Sequence, residues 1–347
     1  MSDILRQHPV SLDLEAAIAN IRRQGTPARV FYFEHGEEPG IKQALCERFD
    51  LCVGLDKNDL HFILRREVRL KQFLGHEFMR IFPGGIDWQG LPKNTTAPPP
   101  AVGPIQTQED FENYPWPRVQ EVDLAAAEWF EQNLPDGIAM TAMTYLFQQV
   151  SNLIGFEPLC LKLYEDRDLV RAVTERVGAF YLRVAETLCD FTRFGAINIG
   201  DDMGHKTSTL IRPNDLRELF MPWQRAIIGA AHARGKLGFF HVCGQVEAIM
   251  EDLIETVCID ARHSTQDVIE PITVSKQRWG NRVALLGGVD VDFITRSRPD
   301  QVREYAHEIL EGCVPGGGFA FGVGNWVADT IPFENYLAML EAARIFA

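Results

Sequence analysis

The segment His241-Val242-Cys243-Gly244 carries an imidazole and a thiol two residues apart at the end of a short apolar run. In a β-strand, residues i and i+2 point to the same face, so the side chains of His241 and Cys243 are expected to converge. A borderline-soft divalent ion such as Zn²⁺ takes this pair together with a third ligand from another strand end. A buried cysteine beside a hydrogen-bonded histidine would give the same pattern, so both interpretations stay open.

Two adjacent carboxylates follow an earlier apolar run, in the segment Asn198-Ile-Gly-Asp201-Asp202. Asp201 and Asp202 are candidate catalytic residues, acting as acid or base, metal ligand or substrate clamp, although a helix-capping pair would look the same. Strand alternation predicts that Asp202 faces the pocket, whereas Asp201 is structural and bonds backbone amides of the following loop. His205 comes shortly after them as a candidate substrate contact, although alone it would be a surface histidine.

The segment Asp260-Ala-Arg262-His263 contains a second candidate metal-ligating histidine. His263 lies 22 residues after His241 and could complete the metal site. Arg262 or His263 could instead hold an anionic group of the substrate. A histidine satisfied inside the core is the third possibility.

Two glycine-rich segments, 287–290 and 316–325, end the last two apolar runs. Glycine lets the backbone approach a ligand, and (β/α)8 barrels often bind phosphate at that corner. Tight turns explain these glycines equally well. Asn325 and Trp326 follow as candidate substrate-binding residues that line the pocket.

Short, continuously apolar runs such as these are typical of strands buried on both faces of a parallel sheet. The predicted strands are 137–143, 196–202, 237–243, 257–261, 283–287 and 318–322. Asn214 and Gly235 bound one predicted amphipathic helix, Ser297 and Gly312 a second, and Pro332 opens the last. Alternating strands and helices imply a doubly wound sheet or a (β/α)8 barrel, and we favour the barrel because no GxGxxG or P-loop follows any strand.

We therefore predict an α/β fold in which residues 1–347 form a single (β/α)8 TIM-barrel domain with an irregular N-terminal segment. Prolines crowd the stretch 90–117, which predicts neither helix nor central strand there. This stretch is a linker or a functional lid. The aromatic side chains of Phe111, Tyr114 and Trp116 favour the lid, because they are costly to leave in water.

The composition of the chain restricts its partners and location. Of 347 residues, 46% are hydrophobic and 24% charged, as in folded globular proteins, and the net charge is 34 − 48 = −14. Such an acidic chain is a poor partner for nucleic acid or an anionic membrane, which are held by basic surfaces. The first ten residues lack the apolar core of a signal peptide, and seven cysteines without CxxC spacing suit a reducing compartment, so a cytoplasmic location is expected.

With these residues identified, the chain resembles the uroporphyrinogen decarboxylase superfamily. That group includes the decarboxylase and zinc methyltransferases that serve corrinoid proteins, and it is similar in fold to cobalamin-independent methionine synthase. The matching segments are 200–204, 211–216, 241–244, 287–290 and 332–336. The resemblance covers most of the chain, best over residues 196–347, and implies a (β/α)8 barrel with its site at the C-terminal mouth.

In the methyltransferase branch an H-x-C motif holds zinc, and His241 and Cys243 match it. A further family cysteine is expected near the last strand, where this chain has Val323, so the resemblance implies that His263 or an aspartate completes the set. This branch implies that the metal binds a thiol acceptor and makes it a nucleophile. The methyl donor would be a corrinoid on a separate carrier protein, with Asp201 or Asp202 positioning the donor or taking a proton.

In the decarboxylase branch an N-terminal strand ends in an arginine-containing signature that binds the substrate's carboxylates. The corresponding segment here is 30–36, with Glu34 in place of the arginine, which disfavours decarboxylation of the polyanionic uroporphyrinogen. A methyltransferase of one-carbon or demethylation metabolism is therefore the favoured hypothesis. The alternatives are a decarboxylase of a tetrapyrrole or another acid, with Asp202 stabilising a protonated intermediate, and a barrel that binds a corrinoid or tetrapyrrole without chemistry.

Overall fold

The computed structural model describes residues 3–91 and 101–346. Strands follow one another in the sheet in chain order. They are β1 (Phe78–Ile81), β2 (Ala139–Thr144), β3 (Phe194–Gly200), β4 (Leu237–His241), β5 (Ala261–His263), β6 (Ala284–Val289) and β7 (Phe319–Val323).

Helices occupy most of the remaining chain. They are α1 (Ile4–Gln7), α2 (Leu14–Ile21), α3 (Pro39–Arg48), α4 (Phe62–Leu74), α5 (Gln108–Asn113), α6 (Ala125–Asn133), α7 (Phe147–Ile154), α8 (Phe156–Glu165), α9 (Arg167–Cys189), α10 (Pro213–Asp215), α11 (Met221–His232), α12 (Glu247–Asp252), α13 (Ile272–Trp279), α14 (Val291–Arg296), α15 (Pro299–Cys313) and α16 (Phe333–Arg344). A 3₁₀ turn covers Val119–Glu121, and π-helical turns cover Leu216–Phe220 and Leu253–Val257.

The chain divides into two compact units. Unit 1 comprises the described parts of 1–80, 130–141 and 260–347, and unit 2 comprises those of 81–129 and 142–259. In unit 1, β5, β6 and β7 pair in parallel. An extended segment, 31–33, bridges to β7 in parallel through Tyr32, and the Phe33 N–H donates to the Phe321 carbonyl at 2.9 Å.

In unit 2, β3 and β4 pair in parallel, from Ala196 opposite Leu237 to Gly200 opposite His241. Every residue of both strands is buried, as the continuous apolar runs predicted. Helix α9 packs closely on α11, because a Cβ at Gly178 would lie only 2.4 Å from the ring of Trp223. This layer of helices holds the two strand ends that carry the candidate site.

The predicted α/β class with parallel strands in chain order is confirmed. The structure describes seven strands rather than the eight of a (β/α)8 barrel, with segment 31–33 as an additional bridged segment on β7. The prediction of an irregular N-terminal segment was wrong, because α1 to α4 lie within the first 74 residues. Local capping explains these helices: the Asp13 side chain accepts from the Ala16 N–H at the start of α2, and Gly75 ends α4 in the left-handed conformation.

The predicted strand 257–261 was also wrong. Leu253–Val257 forms a π-helical turn, Cys258 adopts a φ of 65°, and β5 begins only at Ala261. Val257 and Ile259 are buried nonetheless. Burial alone gives the same apolar pattern as a strand, so the sequence signal could not separate the two.

The helix expected to begin at Asn214 begins at Pro213, which occupies its first position. The π-helical turn Leu216–Phe220 interrupts it before α11. Pro222, at the second residue of α11, has no N–H for the regular α-helical ladder, which accounts for the altered hydrogen-bond register at this place.

Within the stretch 90–117, residues 92–100 lie outside the described residues. The rest is not wholly irregular, because Thr107 and Asp110 form a capping box that starts α5. The Tyr114 hydroxyl donates to the Gln89 carbonyl at 2.9 Å, and the ring of Trp116 lies against those of Phe111 and Tyr114. These aromatic side chains pack on one another, and a lid function stays a prediction.

None of the helices in the described part of the chain is both long enough and apolar enough to cross a membrane.

Candidate metal centre

Three side chains of different chemistry meet at the ends of β3 and β4. The Cys243 Sγ atom lies 3.4 Å from Nε2 of His241, and Oδ1 of Asp202 lies 3.7 Å from the same nitrogen. One ligand atom from each of the three residues lies within 4.8 Å of the others. His241 is buried, whereas the Asp202 side chain is 48% exposed, so the cluster borders open space on one side.

The pairing of the two strands explains this convergence. Gly200 lies opposite His241 in the register, and the Asp201 N–H donates to the His241 carbonyl at 3.0 Å. Two residues further along each strand, Asp202 and Cys243 therefore come side by side. The Cys243 N–H donates to Oδ1 of Asp202 at 3.0 Å, which fixes that carboxylate next to the thiol.

The loops after β3 and β4 touch through two glycines. The Gly204 N–H donates to the Cys243 carbonyl at 3.1 Å, and a Cβ on Gly244 would lie 2.2 Å from the carbonyl carbon of Gly204. Gly244 also has a φ of +81°, a conformation that favours glycine. Neither loop can move away from the other without breaking this contact, so it holds Asp202 beside Cys243.

Asp201 has different surroundings from its neighbour. It is fully buried, and its Oδ1 accepts from the backbone N–H groups of Leu146 at 2.8 Å and Gln148 at 3.2 Å. Its Oδ2 accepts from the Gln224 side chain at 2.8 Å. Burial raises the pKa of this carboxyl, while the hydrogen bonds from Gln224 and the backbone lower it in part. The amides belong to the segment after β2, not to the following loop as predicted.

The cluster suits a zinc ion. Zn–S bonds of about 2.3 Å and Zn–N and Zn–O bonds of about 2.0–2.2 Å at tetrahedral angles place S and N ligands about 3.6 Å apart, and N and O ligands about 3.4 Å apart. The observed 3.4 Å and 3.7 Å separations match that spacing. Three protein ligands beside open space are the arrangement of a catalytic zinc site, in which the fourth position receives substrate.

His263, the other predicted metal ligand, belongs to unit 1. It is fully buried at the end of β5, and its Nε2 atom lies 3.2 Å from the Val323 carbonyl oxygen. Its ring stacks on that of His35 with the centroids 5.2 Å apart. Val323, where a family cysteine was expected, thus contacts the histidine through its backbone.

The predicted substrate contacts lie at several places. Trp326 packs edge-on against His35 at 5.6 Å, and the Trp326 N–H donates to the Asn325 side chain at 2.8 Å. Arg262 is the residue of β5 next to His263, so alternation turns the two side chains to opposite faces. His205 is exposed in unit 2, and its backbone pairs with Gln245.

Arg80 and His35 belong to the polar surroundings of Trp326, and sequence reasoning missed this grouping. The Arg80 guanidinium lies 5.3 Å from the Trp326 ring centroid and donates to the His35 carbonyl at 3.1 Å. Arg80 follows a short apolar run, Phe78-Met79, in β1. A charged residue inside a short apolar strand was the signal that could have found it.

The placement of Glu34 corrects the argument made from the N-terminal signature. Its carboxylate is buried and accepts from the Val323 N–H at 3.1 Å, with the Tyr336 hydroxyl 3.4 Å away. Burial, with a smaller contribution from Glu37, raises the pKa of this carboxyl well above its usual range. Glu34 is therefore a core group bonded to β7 and α16, and repulsion of an anionic substrate by it is no argument against decarboxylation.

A model of the uroporphyrinogen decarboxylase (URO-D) family matches residues 93–346, which is more than half of the chain. The chain belongs to the uroporphyrinogen decarboxylase family. The cluster at β3 and β4 therefore lies in a member of a family of enzymes.

The chain is also similar to a curated decarboxylase over a short segment and to a solved methyltransferase in its fold. Uroporphyrinogen decarboxylase of Coxiella burnetii (strain Dugway 5J108-111) is 34% identical over 73 residues, and the match spans 21% of this chain and 20% of that protein. The chain thus spans about a fifth of the length of the curated relatives it matches. A methyltransferase from Methanosarcina mazei has the same fold, with a TM-score of 0.68 and 15% identity over 95% of this chain and 97% of the other.

Proposed function

We propose that this protein is a metal-dependent methyltransferase that moves a methyl group between a corrinoid on a separate carrier protein and a small thiol or similar acceptor. The observation that supports this proposal is the convergence of Asp202, His241 and Cys243 at two neighbouring strand ends. The likeness in fold to the Methanosarcina methyltransferase agrees with it.

His241, Cys243 and Asp202 would hold the metal through nitrogen, sulfur and oxygen. Zinc bound there would lower the pKa of a thiol acceptor, so that the reactive thiolate is present near neutral pH. The Asp202 carboxylate borders open space. It can accept the proton that the thiol loses and then pass that proton on to water. Asp201 keeps this loop in position through its buried hydrogen bonds.

His263 remains a proposed ligand. A histidine that donates from Nε2 to a carbonyl keeps Nδ1 as its ligand atom, which is the usual arrangement of a metal-ligating histidine. The 3.2 Å contact between Nε2 and the Val323 carbonyl is compatible with that tautomer. Arg262, Asn325, Trp326 and His205 remain proposed substrate contacts.

The proposal is tested by incubating the zinc-loaded protein with methylcobalamin and a panel of small thiols. We expect the optical spectrum of methylcobalamin to change to that of the demethylated corrinoid while the thioether accumulates. The Cys243→Ala variant and the chelator-treated protein should lose this reaction. Zinc-loaded, folded protein that leaves methylcobalamin unchanged with every thiol would contradict the proposal.

Decarboxylation of an acid is the second candidate, and the position of Arg80 favours it. Arginine binds carboxylates in a two-pronged geometry, and Arg80 lies beside His35 and the candidate substrate contact Trp326. Incubation with uroporphyrinogen and separation of the products by chromatography tests it. Conversion to coproporphyrinogen that is lost in Arg80→Ala would establish this function instead.

A further inference from the structure

A cavity of about 470 Å³ opens beside Asp202 within unit 2. Its volume suits a small organic molecule. Phe147, Phe156 and Leu210 are apolar residues of its wall, and the polar residues of the wall are Gln148, Ser151, Glu157 and Asp202. Because Asp202 belongs both to this wall and to the metal cluster, a molecule in the cavity would lie beside one of the three groups of the candidate metal centre.

The charged residues of the cavity wall are acidic and favour a cationic ligand. Two carboxylates, those of Asp202 and Glu157, border the cavity, and none of the described residues that line it is Lys, Arg or His. An anion would therefore meet only repulsion from the charged groups of the wall, whereas a cation would be attracted. Phe156, which is partly exposed and lines the cavity, can add to this preference, since the face of an aromatic ring attracts an ammonium group.

One of the polar residues of the wall, Ser151, is deeply buried. Ser151 is 2% exposed, and its hydroxyl oxygen has no hydrogen-bond partner among the residues that the structure describes. A buried hydroxyl without a partner is costly, so a ligand that carries a hydroxyl or amide group can recover that cost.

We propose that this cavity binds a small organic ammonium compound with an apolar body and one polar substituent. The role of this cation as the substrate of the metal centre rests on the proposed function, whereas its binding to the cavity does not. The proposal narrows the acceptor from any small thiol to one that carries an ammonium group.

Three probes of nearly equal shape and different charge test the proposal: choline, 3,3-dimethylbutan-1-ol and 3,3-dimethylbutanoate. Their dissociation constants are measured by titration calorimetry and by ligand-observed NMR on the full chain. We expect choline to bind about tenfold more tightly than the uncharged alcohol, because the ring face and the carboxylates act together on the cation, and the carboxylate probe to bind most weakly.

Substitutions of residues in the cavity wall test whether the probes bind in this cavity. Glu157→Gln should remove most of the preference for choline over the alcohol, and Ser151→Ala should weaken both hydroxyl-bearing probes alike. Glu128→Gln, which removes an exposed carboxylate on α6 outside the cavity wall, is the matched control and should leave all three constants unchanged. Equal binding of choline and the alcohol, tighter binding of 3,3-dimethylbutanoate, or a choline preference that survives in a folded Glu157→Gln protein would overturn the proposal.

The same titrations on Cys243→Ser separate this inference from the proposed function. Choline binding that persists in Cys243→Ser, together with an absence of methyl transfer in the zinc-loaded wild type, would support the cavity and refute the methyltransferase. Methyl transfer to uncharged thiols alone, with no choline binding, would support the methyltransferase and refute the cavity.

Discussion

The backbone N–H of Cys243 donates a 3.0 Å hydrogen bond to Oδ1 of Asp202, so the loop after β4 is tied to the carboxylate that follows β3. This bond links two of the three groups of the candidate metal centre without using the thiol. The cluster is therefore held by the backbone in the described chain, as a site needs to be if its ligands are to keep their geometry.

The first prediction concerns metal content. His241→Ala and Cys243→Ser should each lower zinc affinity by on the order of 100-fold, because each removes one strong ligand from a small set. Zinc is measured by mass spectrometry after dialysis against a competing chelator of known affinity. Cys258→Ser is the matched control, because that thiol is exposed in the loop before β5 and lies outside the cluster.

Zinc retained equally by all three variants would show that the cluster is not the metal site. A decrease in Cys258→Ser as large as that in Cys243→Ser would show that the loss came from damage to the fold.

The second prediction separates the two adjacent carboxylates. Asp202→Asn keeps an oxygen that can accept from the Cys243 N–H but removes the charge, so methyl transfer should fall by about 10²–10⁴-fold while the fold remains intact. Asp201→Asn introduces an N–H₂ group where three donors already point, so it should lower the free energy of unfolding by about 1–3 kcal/mol. Urea unfolding and the methylcobalamin assay give the two quantities.

The assignment of roles fails if turnover survives in Asp202→Asn but collapses in an Asp201→Asn protein that unfolds at the wild-type urea concentration.

The convergence of Asp202, His241 and Cys243 could be predicted from the sequence, because their positions follow from local rules. Two-residue alternation places His241 and Cys243 on one face, and the pairing of consecutive parallel strands brings Asp202 beside them. Both rules act within a span of about one strand–helix–strand unit, which a single sequence shows directly.

The surroundings of Glu34 could not be predicted in that way. Its hydrogen bond to Val323 joins residues 289 positions apart, and no periodic pattern in one sequence reports a contact of that range. The start of β5 was misplaced for a related reason. Val257 and Ile259 are apolar residues that are buried without belonging to a strand, and the sequence pattern does not distinguish the two cases.

The third prediction tests the contact between the loops after β3 and β4. Gly244→Ala places a Cβ 2.2 Å from the carbonyl carbon of Gly204, and Gly244 has a φ of +81°. Gly235 has a φ of +70° with nothing within 4 Å of its Cβ position, so Gly235→Ala pays only the backbone strain, about 1–2 kcal/mol. Gly244→Ala should lose more unfolding free energy than this control and should also weaken zinc binding, because the clash moves Cys243 away from Asp202.

The free energy of unfolding in urea and the zinc affinity in the chelator competition assay are measured for both variants. Equal losses of stability in the two proteins, with zinc affinity unchanged in both, would show that the glycine contact does not position the metal centre.

The last prediction uses the buried carboxyl of Glu34. Burial raises its pKa well above the usual range, whereas in the unfolded chain the pKa returns to about 4.3. The folded protein therefore binds the proton more tightly than the unfolded chain, so this group's contribution to stability is complete below about pH 4.3 and is lost as the pH rises towards the folded-state pKa.

Glu34→Gln keeps an oxygen for the Val323 N–H but cannot ionise, so its stability relative to wild type should increase between pH 5 and pH 8. Thermal unfolding followed by circular dichroism at several pH values measures this difference, with Glu165→Gln, an exposed site on α8, as the control. A difference between Glu34→Gln and wild type that stays constant over this pH range would show that Glu34 does not titrate differently in the folded protein.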